Sequence, residues 1–319
     1  MSDLSNPIFH DETAAREWLE ARIWKDGRFC PHCGAVDQST LMQGKSHRPG
    51  LYQCNSCREP FTVTVGTLYE RSKIPLHKWL LATHLIMASK KGMSSLQIHR
   101  MLGVSKKTAW FLCHRIRESL RDTLPIDGGE ALGGPNKVVE ADETYIGGKE
   151  GNKHRHKRVT KAGTRGKEPV LSLVERGGRV RSRHVPDVSA GTLRDAMVTQ
   201  IDKASYIMTD EAPQYVKTGE EFAGHGTVNH STEEYVRAYF WHTNTVEGYF
   251  SILKRGIVGV YHHVSAEHLH RYLAEFDFRY NEREGLGVSD AERMAKSIQG
   301  IVGKRLTYRR IDRRPDEQA

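Results

Sequence analysis

The amino-acid sequence predicts a multidomain chain whose largest part is an α/β domain, preceded by a metal-bound ribbon and a small helical domain. Three observations support this class. Two C-x2-C pairs lie between residues 30 and 57, two helical segments meet at Gly103, and strands alternate with helices after residue 137. The 319 residues are enough for two or three domains with at least one substantial core.

Composition narrows the classes of protein to which the chain can belong. Hydrophobic residues make up 38% and charged residues 27%, which argues against a disordered or fibrous chain. No apolar run reaches the eighteen or so residues that a membrane span needs, and the N-terminus resembles no signal peptide. We therefore expect a cytoplasmic, nucleoid-associated protein with reduced cysteines. The net charge of +9 predicts a polyanionic partner, nucleic acid before membrane.

Four of the five cysteines form a pattern typical of a zinc ribbon. The pairs Cys30/Cys33 and Cys54/Cys57 are separated by twenty residues, so each pair can turn onto one Zn²⁺ ion. Four thiolates fill a tetrahedral site, and the zinc is therefore expected to be structural. The neighbouring LYQC and FTVTVGT segments read as short strands. The alternatives are two unrelated C-x2-C repeats or a redox pair; His32 and His47 are interpreted as bystanders.

The segment after the ribbon predicts a helix-turn-helix. Residues 75–90 have the apolar spacing of a helix with a broad buried face. Ser94 or Ser95 caps a short helix ending near Leu102, Gly103 makes the turn, and Ser105 caps a second helix through about Leu120. A plain helical hairpin used for packing is the alternative.

The second helix of this pair is the predicted DNA-recognition helix. Lys106, Lys107 and Thr108 stand at its start, where side chains reach base edges and phosphates. The predicted core residues of the pair are Val104, Ala109, Leu112, Ile116 and, as a small apolar side chain without a partner cysteine, Cys113.

The order of elements after residue 137 is that of an RNase H-like domain. It comprises a strand from Lys137, a hairpin around Gly177-Gly178, a helix at 190–201, strands at 205–209 and 226–229, and the helix that carries Glu247. The sequence therefore predicts an α/β RNase H-like catalytic domain preceded by an N-terminal zinc ribbon and a helix-turn-helix domain.

Three acids stand at corresponding places in that frame. Asp142 follows the first strand, Asp210 follows a later strand, and Glu247 lies on the last helix, with 67 and 36 residues between them. Carboxylates suit hard cations, and two Mg²⁺ (or Mn²⁺) ions can grip a phosphodiester. Glu140 shares a strand face with Asp142, and Glu143 points to the other face, so parity leaves Glu140 as an alternative. Glu211 competes with Asp210 in the same way.

Basic residues near these acids are predicted to contact DNA phosphates. Glu247 and Lys254 lie about two helical turns apart and share a face with Ser251. Residues 149–168 hold eight Lys or Arg against two Glu, which suggests contacts from Lys157 and Arg158 in a long loop; a solvated loop is the alternative. Arg255 is a further candidate. An apolar stripe beside the exposed face is formed by Phe250, Leu253 and Ile257.

Several segments resemble the zinc-ribbon DDE transposases of bacterial insertion sequences, the ISXO-like group. They are CPHCG at 30–34, ADETYIGGKE at 141–150, VNHS at 228–231 and the long run at 242–281. The resemblance extends from about residue 20 to residue 285. It implies an RNase H-like fold with a DDE set at Asp142, Asp210 and Glu247, and Lys254 as an accessory residue. Asn244 is an alternative third ligand, and His230, His242 and His262 are candidates for the site lining.

The resemblance implies a transposase that binds the terminal inverted repeats of its element and catalyses metal-dependent strand cleavage and strand transfer. Its partners would be double-stranded DNA, both ends and target, and further copies of itself in a dimer or larger assembly. A catalytically silent DNA-binding regulator and a structure-specific nuclease of the same fold are the alternatives. The predicted domains are residues 1–68 (helix and zinc ribbon), 69–126 (helix-turn-helix), 127–136 (linker), 137–285 (catalytic domain) and 286–319 (basic arm).

Overall fold

The computed structural model describes residues 4–121, 131–148, 154–158, 164, 166–228 and 242–307. Contacts within the chain divide it into two compact units. The ribbon–helix unit contains residues 1–89, 93–120 and 288–319, and the sheet unit contains residues 90–92 and 121–287. No helix in the described part has the length and apolar content that crossing a membrane requires.

The ribbon is a small antiparallel sheet built on apolar and cysteine side chains. Strands β1 (Ser39–Leu41), β2 (Tyr52–Cys54) and β3 (Pro60–Phe61) pair in that order. Tyr52 and Phe61 stack on each other, and Trp24 meets both edge-on. These rings form a compact core beside the cysteines, as expected for a domain too small to bury a large apolar interior.

The prediction of a strand over FTVTVGT, residues 61–67, is wrong after Phe61. Strand pairing ends at Phe61, and successive turns follow, in which Val65 N–H donates to the Thr62 carbonyl (3.0 Å) and Thr67 N–H to the Thr64 carbonyl (3.2 Å). Gly66, at φ +74°, continues this path. Thr62, Val63 and Thr67 are buried here by turns and not by a pleated strand, and the sequence pattern alone does not distinguish these two forms of burial.

The helical segments of the ribbon–helix unit follow the prediction closely. Helix α1 spans Glu12–Ile23, α2 spans Leu76–Ala88, α3 spans Ser95–Leu102 and α4 spans Lys106–Leu120. Ser94 caps α3 by accepting from Gln97 N–H, and Gly103 ends that helix in the left-handed region at φ +64°. Ser105 accepts from Thr108 N–H at 3.1 Å at the start of α4. Local capping chemistry was sufficient to predict both helix ends.

The core of the helix pair is as predicted on the α4 side. The residues Ala109, Leu112, Cys113 and Ile116 are all at most 1% exposed. Val104, in the turn, is only partly buried. Their spacing places them on the face of α4 that packs against its neighbours, which leaves Lys106 and Lys107 exposed.

Part of the predicted C-terminal arm is folded. Residues Asp290–Gln299 form helix α9, whose start is a capping box between Ser289 and Glu292. The helix packs against α2 and α4, and buries Met294 and Ile298. The basic residues that suggested an arm begin at Lys304, beyond this amphipathic helix, and residues 308–319 lie outside the described part.

The sheet unit is built on one five-stranded mixed sheet. Its strands are β4 (Val138–Ile146), β5 (Glu168–Glu175), β6 (Val180–His184), β7 (Tyr206–Asp210) and β8 (Gly224–Val228). Their order is β6-β5-β4-β7-β8; β4, β5 and β6 are antiparallel neighbours, whereas β4, β7 and β8 are parallel. The hairpin predicted around Gly177-Gly178 is confirmed as β5-β6.

Helices cover both faces of this sheet. Helix α5 (Ala190–Gln200) packs on one face, and α7 (Asn244–Gly256) with α8 (Ala266–Asn281) packs on the other. The short helix α6 (Val216–Gly219) lies between β7 and β8 in the chain. Alternate residues of β4 enter the two cores: Val139 and Ala141 face α5, whereas Ile146 packs with α7 and α8.

The predicted linker at 127–136 differs from the structure at its C-terminal end. Leu132 is 1% exposed, lies in the core under α5, and exchanges backbone hydrogen bonds with Gln200 and Asp202. Residues 131–136 are therefore part of the folded sheet unit, although glycines at 133 and 134 gave them the composition of a linker. Residues 127–130 lie outside the described part.

Candidate metal centres

The four ribbon cysteines form the first candidate metal centre. Their sulfur atoms all lie within 4.8 Å of one another, with Cys30 to Cys57 at 3.7 Å and Cys33 to Cys54 at 3.6 Å. A tetrahedron of sulfurs about 2.3 Å from zinc has edges of about 3.8 Å. The geometry therefore fits Zn²⁺ with four sulfur ligands and no open position, and the predicted cluster is confirmed.

Local backbone geometry aims these sulfurs inward. After each C-x2-C pair the chain enters the left-handed region, at Gly34 (φ +80°) and at Arg58 (φ +63°). The turn closes when Gly34 N–H donates to the Cys30 carbonyl (2.9 Å) and Arg58 N–H to the Cys54 carbonyl (3.0 Å). Backbone donors at Cys57 and Ser56 lower the pKa of the Cys54 thiol to about 6, which favours the thiolate that zinc binds.

The second candidate centre begins where β4 and β7 run side by side. Their parallel register pairs Glu140 with Met208, so two residues further on Asp142 lies beside Asp210, the last residue of β7. Neither aspartate has a Lys or Arg partner within the described residues. Two neighbouring acids without a cationic partner are a donor set suited to a hard divalent cation.

The position of Asp142 differs from the prediction in one respect. Asp142 is not at the end of its strand, because β4 continues to Ile146 through pairing with β5. What ends near Asp142 is the parallel neighbour β7. A strand can stop pairing with one neighbour and continue to pair with the other. The strand end predicted at Asp142 therefore corresponds to the end of the β4–β7 pairing and not to the end of β4.

The pKa of Asp142 depends on the charges of the other two predicted acids, Asp210 and Glu247. Burial raises the pKa of Asp142 to about 7, and the charges of Glu143, Asp210 and Glu247 contribute to this rise, in that order. The charges of Asp210 and Glu247 reach this carboxylate because the end of β7 and the first turn of α7 lie close to Asp142. Without a bound cation, Asp142 therefore holds its proton to a higher pH than an ordinary aspartate does.

Glu143, whose charge also raises the pKa of Asp142, has hydrogen-bond partners of its own. Its carboxylate accepts from the Tyr215 hydroxyl and, at 3.3 Å, from Gln214 Nε2, and burial raises its pKa. It points to the opposite face of β4 from Asp142, as alternation predicts. Its partners on the segment after β7 were not among the predicted site residues, because nothing local in the sequence links them to Glu143.

Glu140, the alternative to Asp142, has other partners. It is fully buried and accepts hydrogen bonds from Thr245, Val246 and Arg176. These contacts tie β4 to the first turn of α7. Thr245 and Arg176 were not among the predicted site residues, because their spacing from Glu140 carries no local signal.

Glu247 lies in the first turns of α7 on its exposed side. The Thr243 hydroxyl lies 3.4 Å from Glu247 Oε1, and Glu247 N–H donates to the Thr243 carbonyl at 3.1 Å. Ser251 and Lys254 are exposed on the same face, whereas Phe250 and Leu253 are buried, as predicted. The Asn244 alternative is the exposed first residue of the helix.

The three acids are neighbours but do not form a closed cage. In the described residues, the one group of three or more His, Cys, Asp or Glu whose ligand atoms all lie within 4.8 Å is the cysteine cluster. Asp142 and Asp210 are placed by the sheet, whereas Glu247 is exposed on a helix. The donor set fits divalent cations with oxygen ligands, and Glu247, on the exposed side of α7, is the third carboxylate of the set.

The predicted DNA contacts lie at three places. Lys106 and Lys107 are exposed and Thr108 is half-buried at the start of α4, and Arg255 is exposed on α7 with its Nε 3.0 Å from the Ser251 carbonyl. Arg158 is exposed beside a short 3-10 turn, Arg155–Lys157. The Lys157 side chain and most of the basic loop lie outside the described part.

The predicted lining histidines are separated. His242 lies 3.3 Å from Glu140 Oε1, whereas His262 is exposed and its Nδ1 lies 3.0 Å from the Val258 carbonyl. His230 lies outside the described residues. The structure thus brings one of the three to the base of α7.

Comparisons with known proteins give matches over the ribbon and over the sheet unit. Residues 131–281 match the model of the ISXO2-like transposase domain, and residues 10–59 match that of the transposase zinc-ribbon domain. An uncharacterized protein in transposable element ISH50 of Halobacterium salinarum is 30% identical over 286 residues, which cover 85% of this chain and 91% of that protein.

Among solved structures, the fold of this chain is similar to that of a chain of the simian T-cell lymphotropic virus intasome in complex with PP2A regulatory subunit B56 gamma. The TM-score is 0.27 and the sequence identity is 14%. The match covers 56% of this chain and 63% of that one, less than two-thirds of its length. The sequence matches, and not this structural likeness, assign the family, and they cover both the zinc ribbon and the sheet unit. The chain therefore belongs to the family of ISXO2-like transposases that carry an N-terminal zinc ribbon.

Proposed function

We propose that the chain is a DNA transposase whose sheet unit is an RNase H-like catalytic domain. The register that lays Asp142 beside Asp210, with α7 docked on the same strand, is the observation that carries this proposal. The sheet order, three antiparallel strands continued by two parallel ones, supports the RNase H-like assignment. Helices α3 and α4 with their glycine turn support a helix-turn-helix that binds the element ends.

Asp142, Asp210 and Glu247 would hold two Mg²⁺ or Mn²⁺ ions. Bound there, the ions would supply Lewis-acid activation of the attacking oxygen and stabilisation of the leaving oxygen. The carboxylates would hold these ions, and the ions would orient the scissile phosphate. Lys254, exposed about two turns along α7, is placed on the face of Glu247 to pair with a DNA phosphate.

The reaction would have two displacements at phosphorus. In the first, a water oxygen bonds to the phosphorus at the element boundary, and the 3′-oxygen of the element's terminal nucleotide leaves and takes up a proton to become a hydroxyl. In the second, that 3′-hydroxyl bonds to a target phosphate and displaces another 3′-oxygen, so the element end is joined to target DNA. Two ends must meet for this, which implies a dimer or larger assembly on DNA.

A cleavage and joining assay tests the proposal. A labelled duplex that carries the terminal inverted repeat of the element would be incubated with the full chain, Mg²⁺ and a plasmid target. We expect nicks at the repeat boundary and labelled plasmid, and neither product from a duplex with a scrambled repeat. Binding without cleavage in Mg²⁺ or Mn²⁺ would favour a silent regulator, and cutting without joining would favour a nuclease.

Lys107→Ala is expected to weaken binding of the end duplex without changing the fold. Lys107 is exposed at the start of α4, so its loss removes about one phosphate contact and lowers the salt dependence of binding by about 1 in log–log slope. Binding would be measured by fluorescence anisotropy between about 50 and 200 mM salt.

Lys203→Ala is the matched control for this measurement. Lys203 is exposed before β7, at the opposite end of that strand from Asp210. Its loss removes the same charge from the chain but no predicted contact. Equal salt slopes for the two variants would contradict a DNA contact by α4.

A further inference from the structure

A buried carboxylate joins the strand that carries Asp142 to the helix that carries Glu247. Glu140 is 0% exposed. Its Oε2 accepts from the backbone N–H groups of Thr245 (2.8 Å) and Val246 (3.0 Å), and its Oε1 accepts from the Thr245 hydroxyl (2.8 Å). The first turn of a helix has backbone donors without partners inside the helix, and a carboxylate there is favoured by the helix dipole.

The same carboxylate has a cationic partner. Arg176 Nε donates to Glu140 Oε1 at 2.6 Å, and Arg176 Nη2 donates to the His242 carbonyl at 2.6 Å. The arginine therefore contacts both Glu140 and the chain that leads into α7. Since a buried carboxylate without a partner is costly, the contact with Arg176 compensates for the burial of Glu140 at the helix start.

These contacts lie between two of the proposed metal-binding acids. Asp142 is two residues from Glu140 on the same face of β4, about 7 Å along the strand. Glu247 follows Val246 directly in α7. Any shift of the first helical turn relative to β4 therefore changes the separation between the carboxylates of Asp142 and Glu247.

We propose that Glu140 is a positioning residue, which holds the first turn of α7 against β4 so that Glu247 reaches a cation shared with Asp142. The inference rests on the proposed function for its catalytic consequence. Glu140 itself touches neither the cation nor DNA. The sheet places Asp142 and Asp210 without it, but the third carboxylate depends on it.

Glu140→Gln is the direct test. The amide keeps the size of the side chain but loses the charge opposite Arg176 and one acceptor oxygen. We expect faster amide hydrogen exchange at residues 245 and 246, and a Mg²⁺ midpoint for cleavage that rises about 10- to 100-fold, as when partners of metal ligands are removed. Thr245→Val, which removes the hydroxyl donor alone, should shift both readouts in the same direction by less.

Glu275→Gln is the matched control. Glu275 is also 0% exposed and lies on α8 in the same unit, where it pairs with a buried arginine, Arg279, and accepts from the Tyr261 hydroxyl at 2.6 Å. We expect it to lower thermal stability while leaving exchange at residues 245 and 246 and the Mg²⁺ midpoint within about twofold of wild type.

The outcomes separate this inference from the proposed function. If wild type cuts the end duplex but Glu140→Gln and Thr245→Val match Glu275→Gln in exchange and in Mg²⁺ midpoint, the positioning role is overturned. If wild type does not cut at any Mg²⁺ concentration, the transposase proposal fails, and the exchange measurement still decides whether Glu140 holds α7. Should Glu140→Gln not fold, Thr245→Val carries both measurements.

Discussion

Asp142→Asn is expected to abolish strand cleavage, by about 10³-fold or more, and to leave binding of the end duplex unchanged. Asparagine keeps the shape of the side chain but lacks the charge that a divalent ion requires, and several kcal/mol of transition-state stabilisation depend on that ion. The predicted DNA contacts on α4 do not involve this residue. Single-turnover cleavage and anisotropy on the same duplex measure the two quantities separately.

The same substitution is expected to stabilise the metal-free protein at pH 8. The folded-state pKa of Asp142 is raised to about 7 from an ordinary 3.8, so the folded chain holds this proton more tightly than the unfolded chain. Stability is therefore lost as pH rises between about 4 and 7 and stays lower above. Removing the charge should regain a few kcal/mol, with about 4 kcal/mol as the upper limit. Urea unfolding at pH 5 and pH 8 measures this gain.

Glu211→Gln is the control for both parts of the prediction. Glu211 is the exposed neighbour of Asp210, so its loss removes a nearby charge without changing the proposed ligands. Cleavage and stability should stay close to wild type. If Asp142→Asn cut DNA normally, Asp142 would not be a metal ligand. If the variant were less stable than wild type at pH 8, the charge of Asp142 would not destabilise the metal-free fold.

Loss of one ribbon cysteine is the second large expected effect. Cys57→Ser should reduce bound zinc from one ion per chain to nearly none and unfold the ribbon. Structural zinc sites of this kind contribute about 10–16 kcal/mol of apparent binding free energy, which is folding free energy for a domain with so small a core. Zinc content by mass spectrometry and tryptophan fluorescence of Trp24, which packs on Tyr52 and Phe61, report the two effects.

Cys113→Ala separates zinc binding from general cysteine loss. Cys113 is fully buried in α4 and lies outside the cluster, so its replacement should retain one zinc per chain at a cost of about 1 kcal/mol of packing. If Cys57→Ser kept its zinc, the four-sulfur assignment would be wrong. If Cys113→Ala lost zinc as well, the effect would come from the fold and not from the ligand set.

Local chemistry was enough to predict much of the molecule. The cysteine spacing determined the zinc ligands, because two residues between thiolates is the geometry of a knuckle. Ser94, Gly103 and Ser105 determined the ends of two helices, because caps and left-handed turns act over a few residues. The order of strands and helices in the sheet unit also followed from periodicity, apart from the segment around Leu132, whose glycine-rich context concealed a buried residue.

Only the tertiary structure decided which neighbours surround Glu140 and which surround Asp142. Alternation placed Glu140 and Asp142 on one face of β4, and nothing in the sequence separated them. Their difference comes from neighbours distant along the chain: β7 ends beside Asp142, whereas the first turn of α7 and Arg176 close over Glu140. A strand's pleat is a local property, but which helix end or which strand end lies against a given residue depends on the register of elements that meet only in the folded chain.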